Sequence, residues 1–192
     1  DGSVRTSTRP SGSLKPVSLT DPGHVVEVSG RSFVAGVLPF RVADVMANNA
    51  TAILKAHLPS TVTVSVERVK EPEAKAFGTG SGIVLFAKSS TGLIRASSAL
   101  GKRNVQAEDV GEAAARDLLQ ELEHNTCVDK HLQDQLVVLM ALANGASKVL
   151  CGPLTLHTET AIYVAHQLTL AKFTTTPQDG NSVLLECAGA GA

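Results

Sequence analysis

Aromatic residues are scarce in this chain, with five Phe, one Tyr and no Trp among 192 residues. Recognition of bases by a sheet of stacking aromatics is therefore not expected. Charge of one sign is also lacking, since 17 Lys and Arg stand against 18 Asp and Glu for a formal net charge of −1. That balance excludes a polybasic protein that grips nucleic acid by bulk charge, though not one with a local basic patch. Cysteines are few: Cys127, Cys151 and Cys187 are widely spaced and odd in number. They form neither a disulfide framework nor a metal-ligand spacing, and they point to a reducing, intracellular compartment. No apolar run reaches the length of a membrane span and no charged-then-apolar leader opens the chain. A soluble protein with no membrane partner is expected. Because the sequence begins at Asp1 and not at Met, it reads as a processed product or a piece of something longer.

What is present is enough apolar material for a packed core. Hydrophobic residues make up 43% and charged residues 18%, which excludes disorder for the body of the chain. The length suits one domain or two small ones. Residues 1–22, rich in Ser, Thr, Pro and Gly, read as an edge strand or linker. The apolar residues Val25, Val26, Val28, Phe33 and Val34 predict a strand around Gly30. Phe40, Ala43, Ala47, Ala50 and Leu54 repeat at helical spacing over 40–58, and Pro59 ends the run. Alternation over 62–66 predicts a half-buried strand, and two runs over 83–87 and 93–100 a strand pair about Thr91-Gly92. A helix over 109–124 presents Val110, Ala113, Ala114, Leu118, Leu119 and Leu122 inward. Together these make a compact α/β unit over residues 23–125.

A second unit occupies 126–192. Its first helix, 129–143, is polar only in its opening turns and apolar on every side from Leu136 onward, so that part is expected to be buried all round. A strand over 148–151, a helix over 158–170 and a closing hairpin over 172–187 follow. The order αβαββ is short by one leading strand, which residues 3–19 would supply if the middle unit is an insertion.

Two constellations carry chemistry. Gly152-Pro-Leu-Thr-Leu-His157-Thr-Glu-Thr-Ala161 sets an imidazole where a strand gives way to a helix. Free backbone amides and the positive end of the helix dipole favour a phosphate there, and the same field keeps His157 neutral, as a nucleophile must be. The bland alternative is that Thr158 or Thr160 caps the helix and His157 is an incidental surface residue. In the second, His131, Asp134 and Gln135 stand at i, i+3 and i+4 and project as one polar patch at the edge of the core. A half-buried carboxylate there calls for a metal ion, a ribose hydroxyl or a cation, unless the patch is simply a solvated helix start. Arg95, Lys102 and Arg103 form a weaker basic cluster that either touches a phosphate backbone or is solvated. Gly78-Thr-Gly-Ser-Gly82 lacks a phosphate-loop lysine and reads as a turn ahead of a strand. His166, nine positions past His157, falls on the other side of the helix and cannot share its site.

At these residues the chain resembles the RNA 3'-terminal phosphate cyclase family. The matching segments are Gly30-Arg-Ser-Phe-Val-Ala-Gly-Val-Leu-Pro39, Ser98-Ala-Leu-Gly-Lys-Arg103, residues 128–142 with their Leu-Gln-Asp-Gln-Leu core, residues 152–162, and Ala171-Lys-Phe173. They run in the family order, cover nearly the whole chain and match the family's later half. The resemblance implies an α/β (α+β) fold built of βαβαββ repeats, with a smaller α/β domain inserted in the last one. Residues 1–22 and 126–192 would then belong to that last repeat, and 23–125 to the insertion.

The resemblance also implies a reaction, the ATP-dependent conversion of an RNA 3'-phosphate to a 2',3'-cyclic phosphodiester. Three steps are implied: adenylylation of a histidine, transfer of AMP to the RNA 3'-phosphate, and attack by the neighbouring 2'-OH with release of AMP. By motif, His157 matches the histidine that bonds to AMP, and His131, Asp134 and Gln135 match positions lining the ATP site. His131 stands where the family usually has Tyr, and an imidazole can still stack on adenine. Implied cofactors are ATP and a divalent cation, Mg²⁺ or else Mn²⁺. Implied partners are RNA 3'-phosphate ends and the N-terminal half of the same protein, without which this stretch is expected to be inactive. The implied location is the nucleus or nucleoplasm in a eukaryote and otherwise the cytoplasm. The alternative is a catalytically inactive, cyclase-like RNA-binding or ribosome-assembly protein; retention of His157 speaks against it.

Overall fold

The computed structural model describes residues 13–191, so residues 1–12 of the expected edge strand or linker lie outside it. Strand β1 (Ser18–Leu19) is short. It is followed by β2 (Val25–Ala35), α1 (Phe40–His57), β3 (Thr63–Lys70), β4 (Gly80–Ser89), β5 (Ile94–Leu100) and α2 (Ala107–Glu123). Then come α3 (Lys130–Leu142), β6 (Ala146–Cys151), α4 (Leu156–Thr169), β7 (Lys172–Pro177) and β8 (Val183–Ala188). The strands form two mixed four-stranded sheets, in the orders β3-β2-β4-β5 and β1-β6-β8-β7.

In the first sheet β2 runs parallel to β3 and antiparallel to β4, which pairs with β5 as a hairpin. The parallel pair needs a crossover, and α1 provides it. Val28, Val34, Ile83, Leu85 and Ala87 point to one face of the sheet. Ala43, Ala47, Ala50 and Leu54 from α1, with Val110, Ala114 and Leu118 from α2, complete this core. Two expected inward positions turn outward: Phe40 at the helix start is 47% exposed, and Ala115 takes the buried place assigned to Ala113. At the helix–helix contact Gly111 is buried, and a methyl group there would lie 2.4 Å from the Met46 carbonyl oxygen.

In the second sheet β1 pairs in parallel with β6, across the whole first unit. Val17 N donates to Ser147 Oγ at 3.1 Å and Lys148 N to Val17 O at 2.8 Å, fixing that edge. With β1 counted, this unit reads β1-α3-β6-α4-β7-β8, one βαβαββ repeat holding the first unit between its first strand and first helix. Its core gathers Val128, Val137, Met140, Val149, Ala165 and Leu185. Cys127, Cys151 and Cys187 are free thiols in the same core, and burial raises all three, Cys127 to about 11.

The expectation that α3 is buried all round from Leu136 onward is not met. Val137 and Met140 are fully enclosed, but Val138 is 53% and Leu139 42% exposed. The sheet and α4 cover only one side of the helix, and α4 likewise leaves Tyr163, Val164 and Leu168 open. Among the described residues, no helix is long and apolar enough to cross a membrane.

Candidate functional site

Strand β6 ends at Cys151, Gly152 and Pro153 turn the chain, and α4 begins at Leu156. The cap of that helix is Thr155, whose side chain accepts from Thr158 N at 3.2 Å. It is neither Thr158 nor Thr160, and the helix starts two residues before the expected 158. Thr158 is instead fully buried and donates from Oγ1 to Gln133 Oε1 at 2.6 Å. His157 accordingly stands exposed in the first turn, beside amides that have no intrahelical acceptor.

Asp129 caps α3 by accepting from the amides of His131 and Leu132 at 3.0 and 2.9 Å. That orientation carries Asp134 to a half-buried place and leaves His131 and Gln135 exposed, with Gln135 Nε2 donating to His131 O at 3.1 Å. His131, Asp134, Gln135 and His157 all line one cavity of about 430 Å³, together with Lys130 and Thr155. The four side chains singled out from sequence thus share one opening, although 22 residues separate Gln135 from His157 (157 − 135).

Gln133 holds the two halves of this cavity together. It is 2% exposed, donates from Nε2 to Gly152 O at 3.0 Å, and accepts on Oε1 from Thr155 N at 3.2 Å as well as from Thr158. The turn that delivers His157 is therefore bolted to the helix that delivers Asp134. By sequence alone Gln133 is one of the polar residues of the opening turns. The available signal was its register with Leu136, Val137 and Met140, a buried stripe in which a polar side chain must find partners.

Lys130 was also missed, because its partners come from the other unit. Its ammonium is held by Asp117 and lies 3.5 Å from Glu121, while its amide donates to Glu121 Oε2 at 3.1 Å. Burial works against the charge, but the two carboxylates outweigh it and raise the lysine above its ordinary value. Asp129 adds a further tie by accepting on Oδ2 from Ala96 N of β5 at 3.0 Å. Arg95, grouped from sequence with Lys102 and Arg103, is not a loop cation. It is 3% exposed in β5, where burial lowers its pKa while Cys127, Glu121 and Asp129 oppose that shift. His166 sits at the far end of α4, with Nδ1 2.9 Å from Ala171 O, and takes no part in the cavity.

Asp134 is the cavity's one carboxylate, and among the described residues no three His, Cys, Asp or Glu side chains converge as a metal site. The donor set fits a nucleotide-borne Mg²⁺, a hard ion that takes one or two protein carboxylates and the rest of its oxygens from phosphates and water. The cavity volume lies in the range of small-molecule sites.

Comparison with known proteins agrees with this architecture. The family model described as the RNA 3'-terminal phosphate cyclase (RTC) insert domain matches residues 20–123. The RNA 3'-terminal phosphate cyclase of Drosophila melanogaster is 35% identical over 190 residues, covering 99% of this chain and 52% of the relative. Proteins of the same name from Pyrobaculum neutrophilum and Hyperthermus butylicus are 33% and 36% identical over 190 and 162 residues. They cover 99% and 84% of this chain, and 53% and 45% of their own length. The chain spans about half the length of the curated relatives it matches. On the insert-domain match and these identities, the chain belongs to the RNA 3'-terminal phosphate cyclase family.

Proposed function

We propose that the protein is an ATP-dependent RNA 3'-terminal phosphate cyclase working through a covalent histidine–AMP intermediate on His157. The observation that carries this reading is the shared cavity, in which His157 faces the side chains of His131, Asp134 and Gln135. An imidazole nitrogen attacks the α-phosphorus of ATP, pyrophosphate leaves, and the imidazole gives up its other proton to solvent. The phosphoramidate so formed is an activated adenylate. An oxygen of the RNA 3'-phosphate then takes the adenylyl group and frees His157. In the last step the adjacent 2'-OH attacks the 3'-phosphorus, loses its proton and expels AMP.

Within this reading the residues divide the work by chemistry. His131 offers a ring face to the base, Asp134 accepts from ribose hydroxyls or supports the cation, and Lys130, neutralised by Asp117 and Glu121, anchors the start of α3. A divalent cation, when bound, offsets phosphate charge. Thr155 and Gln133 fix the turn so that His157 does not have to be ordered during the reaction. The test is incubation of the full-length protein with α-labelled ATP and Mg²⁺. An acid-labile label, lost in His157→Ala, is expected; a label that persists in His157→Ala, or none in the folded wild type, overturns the reading.

A further inference from the structure

A second cavity is larger than the one that holds His157. A space of about 610 Å³ opens at the end of the first unit where α1 and α2 both begin. Arg41 lines it from the first turn of α1, and Lys102 and Arg103 from the loop between β5 and α2; Thr79 and Ser81 line it as well. All three cations are exposed, and among the described residues none takes part in an ion pair. Glu108 is the one acidic residue of the lining, so three positive charges face one negative charge. Elsewhere the first unit pairs its exposed arginines, Arg31 with Glu67 and Glu71, Arg68 with Asp44 and Arg116 with Glu112, while Arg95 is buried. Among the described residues, Lys55, Lys70, Lys75 and Lys88 of this unit are unpaired as well, but Arg41, Lys102 and Arg103 are the cations that share one cavity. Neither helix has a side-chain cap, Pro39 and Gln106 standing at the cap positions, so the amides of both first turns add to the positive field of the opening.

Placement gives this cavity a ligand. Helix α2 runs the 17 residues from the cavity at Ala107 to Glu123, about 25 Å at 1.5 Å per residue, and ends next to the Lys130 clamp of the His157 site. A strand stacked at about 3.4 Å per nucleotide covers that distance in roughly seven nucleotides. We infer that the cavity lined by Arg41, Lys102 and Arg103 binds the phosphodiester backbone of the RNA upstream of the 3' end held at His157. The inference rests on the cyclase reading for the identity of the polyanion. It gives the inserted unit a role as a substrate grip acting on length and charge, with no reading of bases.

The experiment compares the full-length protein with its Arg41→Gln, Lys102→Gln, Arg103→Gln triple variant. Binding of a fluorescent 3'-phosphorylated RNA of about ten nucleotides is followed by anisotropy at several salt concentrations. Loss of three phosphate contacts is expected to weaken binding and to flatten the dependence of log K on log salt by about 2. A 3'-phosphorylated dinucleotide, too short to reach, is expected to bind both proteins alike. His157 labelling by ATP is expected to be unchanged, since none of the three residues lines that cavity. Equal affinity and salt slope for the longer RNA overturn the inference, as does an equal loss for the dinucleotide. Protection of Lys102 from acetylation by inorganic phosphate but not by the longer RNA also overturns it, because the site would then serve a small anion. Cation-dependent RNA binding without any ATP labelling leaves this inference standing and removes the catalytic reading instead.

Discussion

Gln133 has the least freedom to change of any residue in the candidate site. Its amide satisfies a turn carbonyl, a turn amide and a buried hydroxyl at once. Gln133→Leu keeps roughly the size but strands Thr155 N and Gly152 O and leaves Thr158 Oγ1 only its 3.0 Å partner Thr155 Oγ1, and each unsatisfied buried group costs about 1–3 kcal/mol. Some of them will relax toward water, so a loss of about 2–4 kcal/mol in denaturant unfolding is expected, with ATP labelling of His157 falling as the turn loosens. Unchanged unfolding and labelling would show that the turn is held by other means. At this scale much of the site was legible. His157, His131, Asp134 and Gln135 stand in two short motifs whose spacing alone brings each set to one place. Lys130 was not legible, because nothing near it in sequence announces that Asp117 and Glu121, 13 and 9 residues earlier, hold it from another unit.

Among the elements, helix periodicity told which faces are apolar but not whether the chain itself contains their cover. Helix α1 was read within one residue of its end because Pro59 stops it and its alanines repeat on one face. The start of α4 was misplaced because Thr155, Thr158 and Thr160 are all competent caps, and only the tie to Gln133 selects the first. For α3 the apolar residues were read as fully buried, yet Val138 and Leu139 face outward with Tyr163 and Leu168 of α4. The relatives are about twice as long, which is ample sequence to cover such a face. A subtler signal was Gly111, which disfavours a helix interior by about 1 kcal/mol relative to Ala. It is there because α1 passes too close for a methyl group, 2.4 Å from the Met46 carbonyl oxygen. Gly111→Ala must push the helices apart, and overpacking of this kind costs about 1–3 kcal/mol. A fall in Tm of roughly 2–12 °C is expected. Gly78→Ala, where an added methyl meets nothing within 4 Å, serves as the control and should leave Tm in place.

For the molecule as a whole, the question is how an inserted unit with its own core bears on a cavity built from the other. Among the described residues, the side-chain ties that reach the candidate site fall on the opening turns of α3: Ala96 to Asp129, the Lys130 amide to Glu121, and the Lys130 ammonium to Asp117 and Glu121. A second set joins Thr91 Oγ1 to the carbonyls of Asp21 and Pro22 and packs Leu93 against the other core. Since the opening turns of α3 carry His131 and Asp134, a tilt of the inserted unit would be felt first in the candidate site. The ammonium part of this tie titrates. Lys130 has a folded-state pKa raised above its ordinary 10.5, so its contribution is fully present below the unfolded value and is lost as pH rises through the raised one. The pair is partly exposed, with side-chain accessibilities of 36% for Lys130 and 27% for Asp117, which limits its worth to about 1 kcal/mol. Asp117→Asn should therefore lower stability by at most that amount near neutral pH, and the gap to wild type should close as the pH climbs beyond about 10.4. The Cys127 thiol, raised by burial to about 11, also titrates at the alkaline end, but it is common to both proteins and cancels in the difference. Urea unfolding of the two proteins between pH 7 and 11 measures the gap. A gap that persists unchanged to the alkaline end would mean that Asp117 acts through packing and that the lysine charge does not latch the inserted unit to α3.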